Sequence, residues 1–538
     1  MSVRFPILYK DMYLGDYSEA EAEFIMKVRA ESCIEPLKDY IFYFPKDLVL
    51  RSVDEGRSIR DIIRESGMDY SQYIGKLRDY QTVGTAFMYS SPRSMLGDGV
   101  GLGKTAEVAA LLNFLGSRKE LKRFLMAVEP SALAQTTYEL MKFTGMRVIA
   151  MPGEADKIRK IIRNTDWRNV GGIVIKHSTL RSDAFSKWLS LNLTPDGKSS
   201  IYNVFILDEA SVIKNPDTKI YRYTENICNL ADRVHMLNAT PFDTSIMDIY
   251  YQFDMANKKL LPSKSRVQKD FCNFTTDTFY KKEGGVPVAH TKWNLSSYKN
   301  QEIFKERLKL VYFARCKQDI GMEMPHQHLV YEVQPSSKQL MAIASGHRYM
   351  EVLNCPSLIR EIKVPTTREE VPKLDRLCTL VENDFSDSRV MVYCFHIEAQ
   401  QAIANEMRKI GRNPVILNGS CTDEERYEAQ EGFNEGKYDV LITNIKKSLN
   451  LYGGDVCIFY SLETNPSAME QIHGRIDRNV DDSVKTYVLL LYGGTDEYEY
   501  FVNVVKQRAQ DARDLTINAK TAVDYFAEAL DNMSVVTN

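Results

Sequence analysis

The stretch Met95-Leu-Gly-Asp-Gly-Val-Gly-Leu-Gly-Lys-Thr105 decides the fold of this chain, because a short apolar run leads into a glycine-rich turn that ends in lysine and threonine. Glycines lack a Cβ, so the backbone N–H groups can form an anion-binding nest, and a helix predicted over residues 104–115 points its positive N-terminus at the same place. We therefore predict that residues 97–103, the glycine-rich loop, bind a nucleoside triphosphate. Its phosphates would lie against Gly99, Gly101, Leu102 and Gly103, with Lys104 on the β- and γ-phosphates and Thr105 on Mg²⁺.

One residue departs from the strict phosphate-loop pattern. That pattern has a glycine five positions before Gly103, where this sequence has Asp98. The alternative interpretation is a strand-to-helix turn that binds nothing, and the sequence downstream of the loop has to decide between the two.

Composition is typical of a folded protein with several domains. The chain has 538 residues, of which 44% are hydrophobic and 26% charged, and this length suggests roughly three or four domains. It lacks an apolar run near the ~20 residues needed to cross a bilayer and a signal peptide, so we expect a cytoplasmic protein, in the host cytoplasm if the source is viral, with no membrane partner. The nine cysteines occur singly, which favours reduced thiols over zinc sites or disulfides. A net charge of −3 argues against coating nucleic acid through bulk positive charge, but not against a local basic cleft.

After the loop, short apolar runs alternate with longer amphipathic segments. The runs are too apolar for strands that are wet on one face, so they predict parallel sheets covered by helices on both sides, with catalytic groups at the C-terminal strand ends. The first set of predicted strands is 124–128, 147–151, 172–176, 202–207 and 233–237, and the second is 329–333, 389–395, 414–417, 438–443, 456–460 and 485–491.

Two of these strand ends have polar residues suited to phosphate chemistry. Phe205-Ile-Leu-Asp208-Glu209 ends a strand in adjacent carboxylates, of which Asp208 would hold Mg²⁺ and Glu209 would activate water. Asn238-Ala-Thr240 ends another strand and could sense the γ-phosphate through hydrogen bonds to the carboxylate pair. Taken alone, each segment could equally be an ordinary turn.

The second half has no glycine-rich phosphate loop, but it contains Gln471-Ile-His-Gly-Arg475-Ile-Asp-Arg478. Arginines three apart on a helix share a face, so we predict that Arg475 and Arg478 are offered to phosphates held by the first half. Ahead of the loop, Gln81 could use its amide as donor and acceptor against adenine, or lie on the surface of an ordinary helix.

Together these segments resemble the superfamily 2 helicase-like ATPases, and within them the Swi/Snf-type DNA translocases, over residues 76–495. The resemblance rests on the Gly-Leu-Gly-Lys-Thr core, on Leu207-Asp-Glu-Ala-Ser-Val-Ile-Lys-Asn-Pro216 and on Arg315-Cys-Lys-Gln-Asp319, in the family's order. The family shares the departure at Asp98. The resemblance implies an α/β fold of two tandem RecA-like lobes, ATP and Mg²⁺ as cofactors, and nucleic-acid-dependent ATPase activity.

The family's functional positions carry over by motif. Arg78, Gln81 and Gln471 would contact the nucleotide, and Asn238 and Thr240 would couple its state to the lobes. The implied nucleic-acid contacts are Ser131, His177, Ser178, Asn418, Ser420, Thr443, Asn444 and Lys446. Three departures affect this transfer: Ser211 replaces the family's usual histidine, Asn238-Ala239-Thr240 replaces the usual Thr-Gly-Thr, and the segment after Thr443 lacks glycines and is shortened.

The residue patterns, together with the resemblance over 76–495, give the expected domains. These are a mostly helical accessory domain at 1–75, including a helix at 17–31, a first lobe at 76–250, a helical insertion and linker at 251–325, a second lobe at 326–497 and a helical tail at 498–538. We expect a monomeric motor that moves along double-stranded DNA, in a compact form that suits a bacterial or viral source. The alternatives are a helicase or annealing motor for forks and branched DNA in replication or recombination, an RNA-polymerase-associated factor, and a regulatory module without turnover.

Overall fold

The computed structural model describes residues 4–9, 12–18, 73–191, 202–258, 260–283, 286–309, 311–320, 325–344, 368, 371–446, 449, 451–477, 484–516 and 521–536. Within the first 75 residues it describes an antiparallel hairpin of Arg4–Tyr9 and Met12–Ser18. The helix expected at 17–31 is therefore wrong at its start, since Tyr17 pairs with Phe5 in the hairpin. The remainder of that helix lies outside the described residues.

The chain divides into two compact units. The first comprises Met1–Cys316 together with Asp514–Ile517, and the second comprises Lys317–Arg513 and Asn518–Asn538. The division lies at Cys316, nine residues before the boundary that we predicted at 325.

The first unit is built on a seven-stranded, wholly parallel sheet, as the apolar runs predict. Three predicted strands have the expected limits, and the short strands at residues 93 and 312 had no predicted counterpart. In spatial order the strands are Tyr312–Phe313, Arg93–Leu96, Arg233–Leu237, Val204–Asp208, Phe124–Val128, Gly172–Lys176 and Val148–Met151.

Helices accompany this sheet because every strand-to-strand crossover in a parallel sheet needs one. The helix after the glycine-rich loop runs from Lys104 to Ser117, and its residues 107–115 are buried, which places it in the core. The α-helices of the first unit are Asp79–Ser90, Lys104–Ser117, Leu133–Thr144, Ala155–Asn164, Asp183–Leu191, Lys219–Leu230, Ile246–Ala256, Lys264–Phe271 and Gln301–Lys309.

The insertion at 251–325 is not wholly helical, which corrects our expectation. Between helices Lys264–Phe271 and Gln301–Lys309 the chain forms a long antiparallel hairpin of Cys272–Glu283 and Val286–Tyr298. Threonine, tyrosine and valine in these strands favour extended backbone, and they outweigh the lysines, which are only mildly depleted in strands.

The second unit contains a six-stranded parallel sheet, again as predicted. In spatial order its strands are His326–Val333, Lys485–Tyr492, Val456–Phe459, Val390–Tyr393, Val440–Thr443 and Pro414–Leu417. The helical segments around it are Ser337–Ala344, Pro372–Thr379, Leu380–Asp384, Ile397–Lys409, Asp423–Asn434, Pro466–His473, Asp496–Tyr500, Phe501–Val505, Lys506–Leu515 and Ala522–Val536.

The C-terminal segment is helical as expected, but it is part of the second unit's core rather than a tail. Phe501, Val505, Val523 and Phe526 are fully buried in the same cluster as the strand residue Leu489. None of the helices that the structure describes combines the length and the apolarity needed to cross a membrane.

Candidate nucleotide site

The glycine-rich loop joins strand Arg93–Leu96 to helix Lys104–Ser117, so the helix predicted after the loop is present. Gly101 and Gly103 have φ angles of +86° and +85°, a left-handed conformation in which a Cβ would clash. Because Gly103 directly precedes the helix, the first N–H groups of that helix have no intrahelical acceptor and are available to an anion.

Two side chains from the preceding helix hold the loop from outside. The Tyr80 hydroxyl and the Gln81 amide nitrogen both donate to the Leu102 carbonyl, at 2.8 and 3.0 Å. A Cβ on Gly103 would lie 2.6 Å from Gln81 Nε2, so a side chain there would collide with this support. Gln81 Oε1 accepts from the backbone N–H of Arg78, which begins the helix. The predicted adenine-reading amide is thus engaged in positioning the loop.

The ammonium group of Lys104 lies at the loop itself. Lys104 Nζ donates to the carbonyls of Asp98 and Gly99, at 2.7 and 3.4 Å. Neutral carbonyls are weaker partners for a cation than a phosphate is, so an incoming phosphate would replace them. The loop, the lysine and the helix N-terminus therefore fit the β- and γ-phosphates of a nucleotide, and Thr105 opens the helix directly after Lys104.

The carboxylate pair stands at the C-terminal end of strand Val204–Asp208. Glu209 has φ +50° and ψ +57°, a left-handed conformation that is uncommon for a residue with a side chain, and its N–H donates to Asp208 Oδ1 at 3.0 Å. His177 Nε2 donates to the Asp208 carbonyl at 2.8 Å. This sharp turn re-aims Glu209 immediately after the strand, as functional turns with uncommon backbone conformations do.

The loop and the carboxylates share one edge of the sheet. Strand Arg233–Leu237 lies between strands Arg93–Leu96 and Val204–Asp208, and all three are parallel. Their C-terminal ends therefore meet at the same edge, with the outer two roughly 10 Å apart at the usual strand spacing. That distance accommodates a triphosphate between the loop and Asp208.

The strand between them ends in the predicted coupling residues. Asn238 is buried, donates to Gln252 Oε1 at 2.6 Å and accepts from the Thr240 N–H at 3.0 Å. Asn238 therefore fixes the turn, while Thr240 is partly exposed at the same sheet edge as the carboxylates.

Magnesium fits this donor set in one specific way. Within the described part of the chain, no group of three or more His, Cys, Asp or Glu could hold a metal ion. Mg²⁺ commonly takes only one or two protein ligands and completes its shell with water and phosphate oxygens. Asp208 and Thr105 would suffice on those terms.

The second unit arranges its arginines differently from our prediction. Helix Pro466–His473 ends before Gly474, so Arg475 lies beyond its last turn. Its guanidinium is buried and donates to the carbonyls of Gln471 and Leu449, at 2.7 and 2.8 Å. Arg475 is therefore not on the helix, although the prediction of a shared helical face required it to be. Arg478 lies outside the described residues.

The predicted nucleic-acid contacts differ in how accessible their side chains are. His177, Asn418 and Thr443 are buried and bonded within their own units, so a contact there would require the surrounding shell to open. Lys446 forms an ion pair with Glu463. The others are at least partly accessible: Ser131, Ser178, Ser420 and Asn444.

Two residues that hold the loop were not among the predicted site residues. Tyr80 holds the loop, although the sequence offered only its adjacency to Gln81 as a signal. Arg315 pairs with the buried carboxylate of Asp98; it was recognised as part of a motif, but nothing in the sequence pointed to the loop as its partner.

Comparisons with known proteins identify the family of this chain. A profile of the SNF2-related domain matches residues 80–362, and one of the helicase conserved C-terminal domain matches residues 372–480. The DNA excision repair protein ERCC-6-like of Bos taurus is 27% identical over 237 residues, which cover 40% of this chain and 18% of that protein.

Two bacterial relatives cover more of the chain. An ATP-dependent helicase of Mycoplasma genitalium is 22% identical over 75% of this chain and 39% of its own length, and a putative ATP-dependent helicase/translocase of Bacillus subtilis is 22% identical over 83% and 49%. The chain thus spans about half or less of the length of these curated relatives. Among solved structures, the SWI2/SNF2 ATPase core of Sulfolobus solfataricus in complex with dsDNA matches over 87% of this chain and 97% of its own, with 17% identity and a TM-score of 0.39.

Proposed function

This chain belongs to the family defined by the SNF2-related domain, and from that premise we propose that it is an ATP-driven motor that translocates along double-stranded DNA. The observation that carries the proposal is the loop with Lys104 on the same sheet edge as Asp208 and Glu209. A sheet edge with these groups suits phosphoryl transfer to water. The names of its relatives, a DNA excision repair protein and a helicase/translocase, point to DNA as the track.

Each residue has a distinct task in this mechanism. The loop N–H groups bind the phosphates, and Lys104 leaves the Asp98 carbonyl for the γ-phosphate, where it stabilises the charge that develops during transfer. Glu209, aimed by its left-handed turn, accepts a proton from the attacking water. Mg²⁺, when bound at Thr105 and Asp208, would neutralise phosphate charge. We expect Arg478 to complete the site from the second unit.

The proposal is tested by measuring ATP turnover with no nucleic acid and with single-stranded DNA, duplex DNA, branched DNA or RNA. We expect duplex DNA to raise turnover about tenfold or more, and the stimulation to fall steeply with salt because backbone phosphates dominate the contact. Lys104→Ala should abolish turnover in every arm. A wild-type rate that duplex DNA leaves unchanged would refute translocation on duplex DNA.

One observation favours a second candidate, a helicase that separates strands at branched DNA. Phe274 and Leu295 face each other across the long hairpin and are both exposed, at 37% and 39%. Apolar side chains on a projecting element can enter a base step and unstack it. Strand displacement on a forked substrate that requires Phe274 and Leu295 would favour this candidate; equal displacement by a variant with both replaced by serine would count against it.

A further inference from the structure

Edge strand Tyr312–Phe313 pairs with strand Arg93–Leu96, and the backbone hydrogen bonds between the two segments continue into the glycine-rich loop. The N–H groups of Met95, Gly97 and Gly99 donate to the carbonyls of residues 311, 313 and 315, at 2.7, 2.7 and 2.8 Å. The first half of the loop is therefore bonded along its length to the segment that precedes the second unit, which begins at Lys317.

Arg315 adds a buried side-chain anchor to this ladder. Its Nε donates to Asp98 Oδ1 at 3.1 Å, and its Nη2 contacts both Asp98 Oδ2 and Glu107 Oε1, the latter at 2.7 Å. Nη1 donates to the Tyr80 carbonyl. Both carboxylates are fully buried and the arginine is 8% exposed, so solvent does not screen these contacts.

We call Arg315, Asp98 and Glu107 the Arg315 triad. Its acidic groups outnumber its basic groups. One guanidinium faces two carboxyl groups, and Glu107 Oε2 has no hydrogen-bond partner within the described part of the chain. Burial, followed by the neighbouring charge of Asp98, raises the pKa of Glu107 well above its usual value. A protonated Glu107 beside an Arg315–Asp98 ion pair leaves the triad neutral, which is the form that a buried site favours.

The triad reaches the nucleotide site through Asp98. The backbone carbonyl of Asp98 accepts from Lys104 Nζ, while its carboxylate is held by Arg315. Gly99, the next residue, is bonded to the Arg315 carbonyl. Moving Arg315 would therefore displace both the lysine and the first half of the loop.

We propose that Arg315 is a positioning residue for nucleotide phosphates: by holding Asp98 it sets the place of Lys104 and ties the phosphate-binding loop to the segment that leads into the second unit. This inference rests on the proposed function, because it assumes that the loop binds ATP. It assigns the departure at Asp98 a task, since a glycine there could not pair with Arg315.

The test measures the affinity of a fluorescent ATP analogue, the ATPase kcat and KM, and thermal unfolding, all on the full chain. Arg315→Gln should weaken binding about tenfold to a hundredfold, since small misplacements of positioning groups have effects of that order. Arg315→Lys should lose less, because an ammonium can pair with Asp98 but cannot span both carboxyl groups. Glu107→Gln should bind like wild type, because a neutral side chain already suits that position.

The matched control is Arg93→Gln. Arg93 lies at the opposite end of the loop's strand and donates to the carbonyls of Cys228 and Ala231, at 2.8 and 3.0 Å. It should lower the unfolding temperature while leaving nucleotide affinity unchanged. A fall in affinity that merely follows the fall in unfolding temperature, equally in Arg93→Gln and Arg315→Gln, would overturn the positioning role.

A double variant tests the route through Asp98. Arg315→Gln leaves the buried carboxylate of Asp98 without its counterion, and Asp98→Asn leaves Arg315 with Glu107 as its one acidic partner in the triad, whereas the double variant removes both charges of the Arg315–Asp98 pair. We expect the double variant to bind the ATP analogue more tightly than either single variant; independent, multiplying losses would overturn the route. If the wild-type protein binds no nucleotide, the proposed function itself is refuted. If the wild-type protein binds and hydrolyses ATP and Arg315→Gln has the same affinity and turnover, only this inference is refuted.

Discussion

Gly84 offers a substitution for which helix propensity and tertiary structure predict opposite signs. It lies inside helix Asp79–Ser90, where alanine is ordinarily more stable than glycine by about 0.8–1 kcal/mol. A Cβ on Gly84, however, would lie 2.5 Å from Glu107 Oε1 and 2.7 Å from Arg315 Nη2. Neither atom belongs to a side chain that can swing into solvent, because the Arg315 triad is buried.

The magnitude follows from these contacts. Overpacking costs about 1–3 kcal/mol, and loosening a buried ion pair adds part of the 3–5 kcal/mol that breaking one costs. After the gain in helix propensity, we expect Gly84→Ala to destabilise the first unit by about 2 kcal/mol, which lowers the unfolding temperature of a unit of this length by roughly 3 °C. The three tryptophans, Trp167, Trp188 and Trp293, all lie in the first unit, so tryptophan fluorescence during heating reports on that unit.

Gly116→Ala is the control, since Gly116 lies in helix Lys104–Ser117 and a Cβ there would meet only the flexible end of Met146, at 3.3 Å. It should leave the unfolding temperature unchanged or raise it. Gly84→Ala should also weaken nucleotide binding, because it displaces Arg315. If Gly84→Ala stabilised the protein as Gly116→Ala does and bound nucleotide normally, the account of the triad would be wrong.

Two further outcomes are expected. Glu209→Gln should bind the ATP analogue with wild-type affinity and lose at least a hundredfold in kcat in a steady-state assay, because the amide cannot accept a proton from water; undiminished turnover would remove Glu209 from its role. Acid should destabilise the second unit, since burial, reinforced by neighbouring histidines, lowers the pKa of His328 to about 2, and burial, reinforced by His326 and Lys317, lowers that of His473 to about 3. Their Nε2 atoms lie 3.0 Å apart, so the neutral pair is bonded. Below about pH 6.5 these two histidines bind protons in the unfolded chain but not in the folded chain. The free energy of unfolding therefore decreases as the pH falls from about 6.5 towards 3, by about 2 kcal/mol for each histidine at pH 5. Calorimetry at pH 7.5 and 5 should find a smaller loss in His328→Phe; an equal loss would contradict this source.

The sheets were predictable because their signal is local. Strands Phe124–Val128, Gly172–Lys176, Arg233–Leu237 and Pro414–Leu417 have the predicted limits, since each is a short, mostly apolar segment. Edge strand Tyr312–Phe313 could not be found in this way, because two residues carry no period. The hairpin at 272–298 does have a signal in the sequence, two runs rich in β-branched and aromatic residues around adjacent glycines, but its lysines are equally typical of a helix.

The nucleotide site was predictable only as far as its motifs reach. Lys104, Asp208 and Glu209 follow from residue type and position at strand ends, which sequence displays directly. The contacts that hold the loop cannot be read in this way. Asp98 departs from the strict phosphate-loop pattern, and its partner Arg315 is 217 residues away in the chain. A long-range ion pair leaves no periodic trace in a single sequence, so its two ends look unrelated until the fold joins them.

The position of Arg475 also depends on contacts that the sequence does not display. Its spacing from Arg478 predicted a shared helical face, but side-chain direction depends on which acceptors lie within reach. Once Gly474 ends the helix, the carbonyls of Gln471 and Leu449 are the acceptors that its guanidinium meets, and a buried guanidinium needs them. Arg475 in this conformation fastens the turn after its helix to the segment near residue 449, which follows the strand ending at Thr443. A phosphate that recruits Arg475 in this conformation would have to replace its contacts with the carbonyls of Gln471 and Leu449, so phosphate binding would be coupled to the loss of the contact with Leu449.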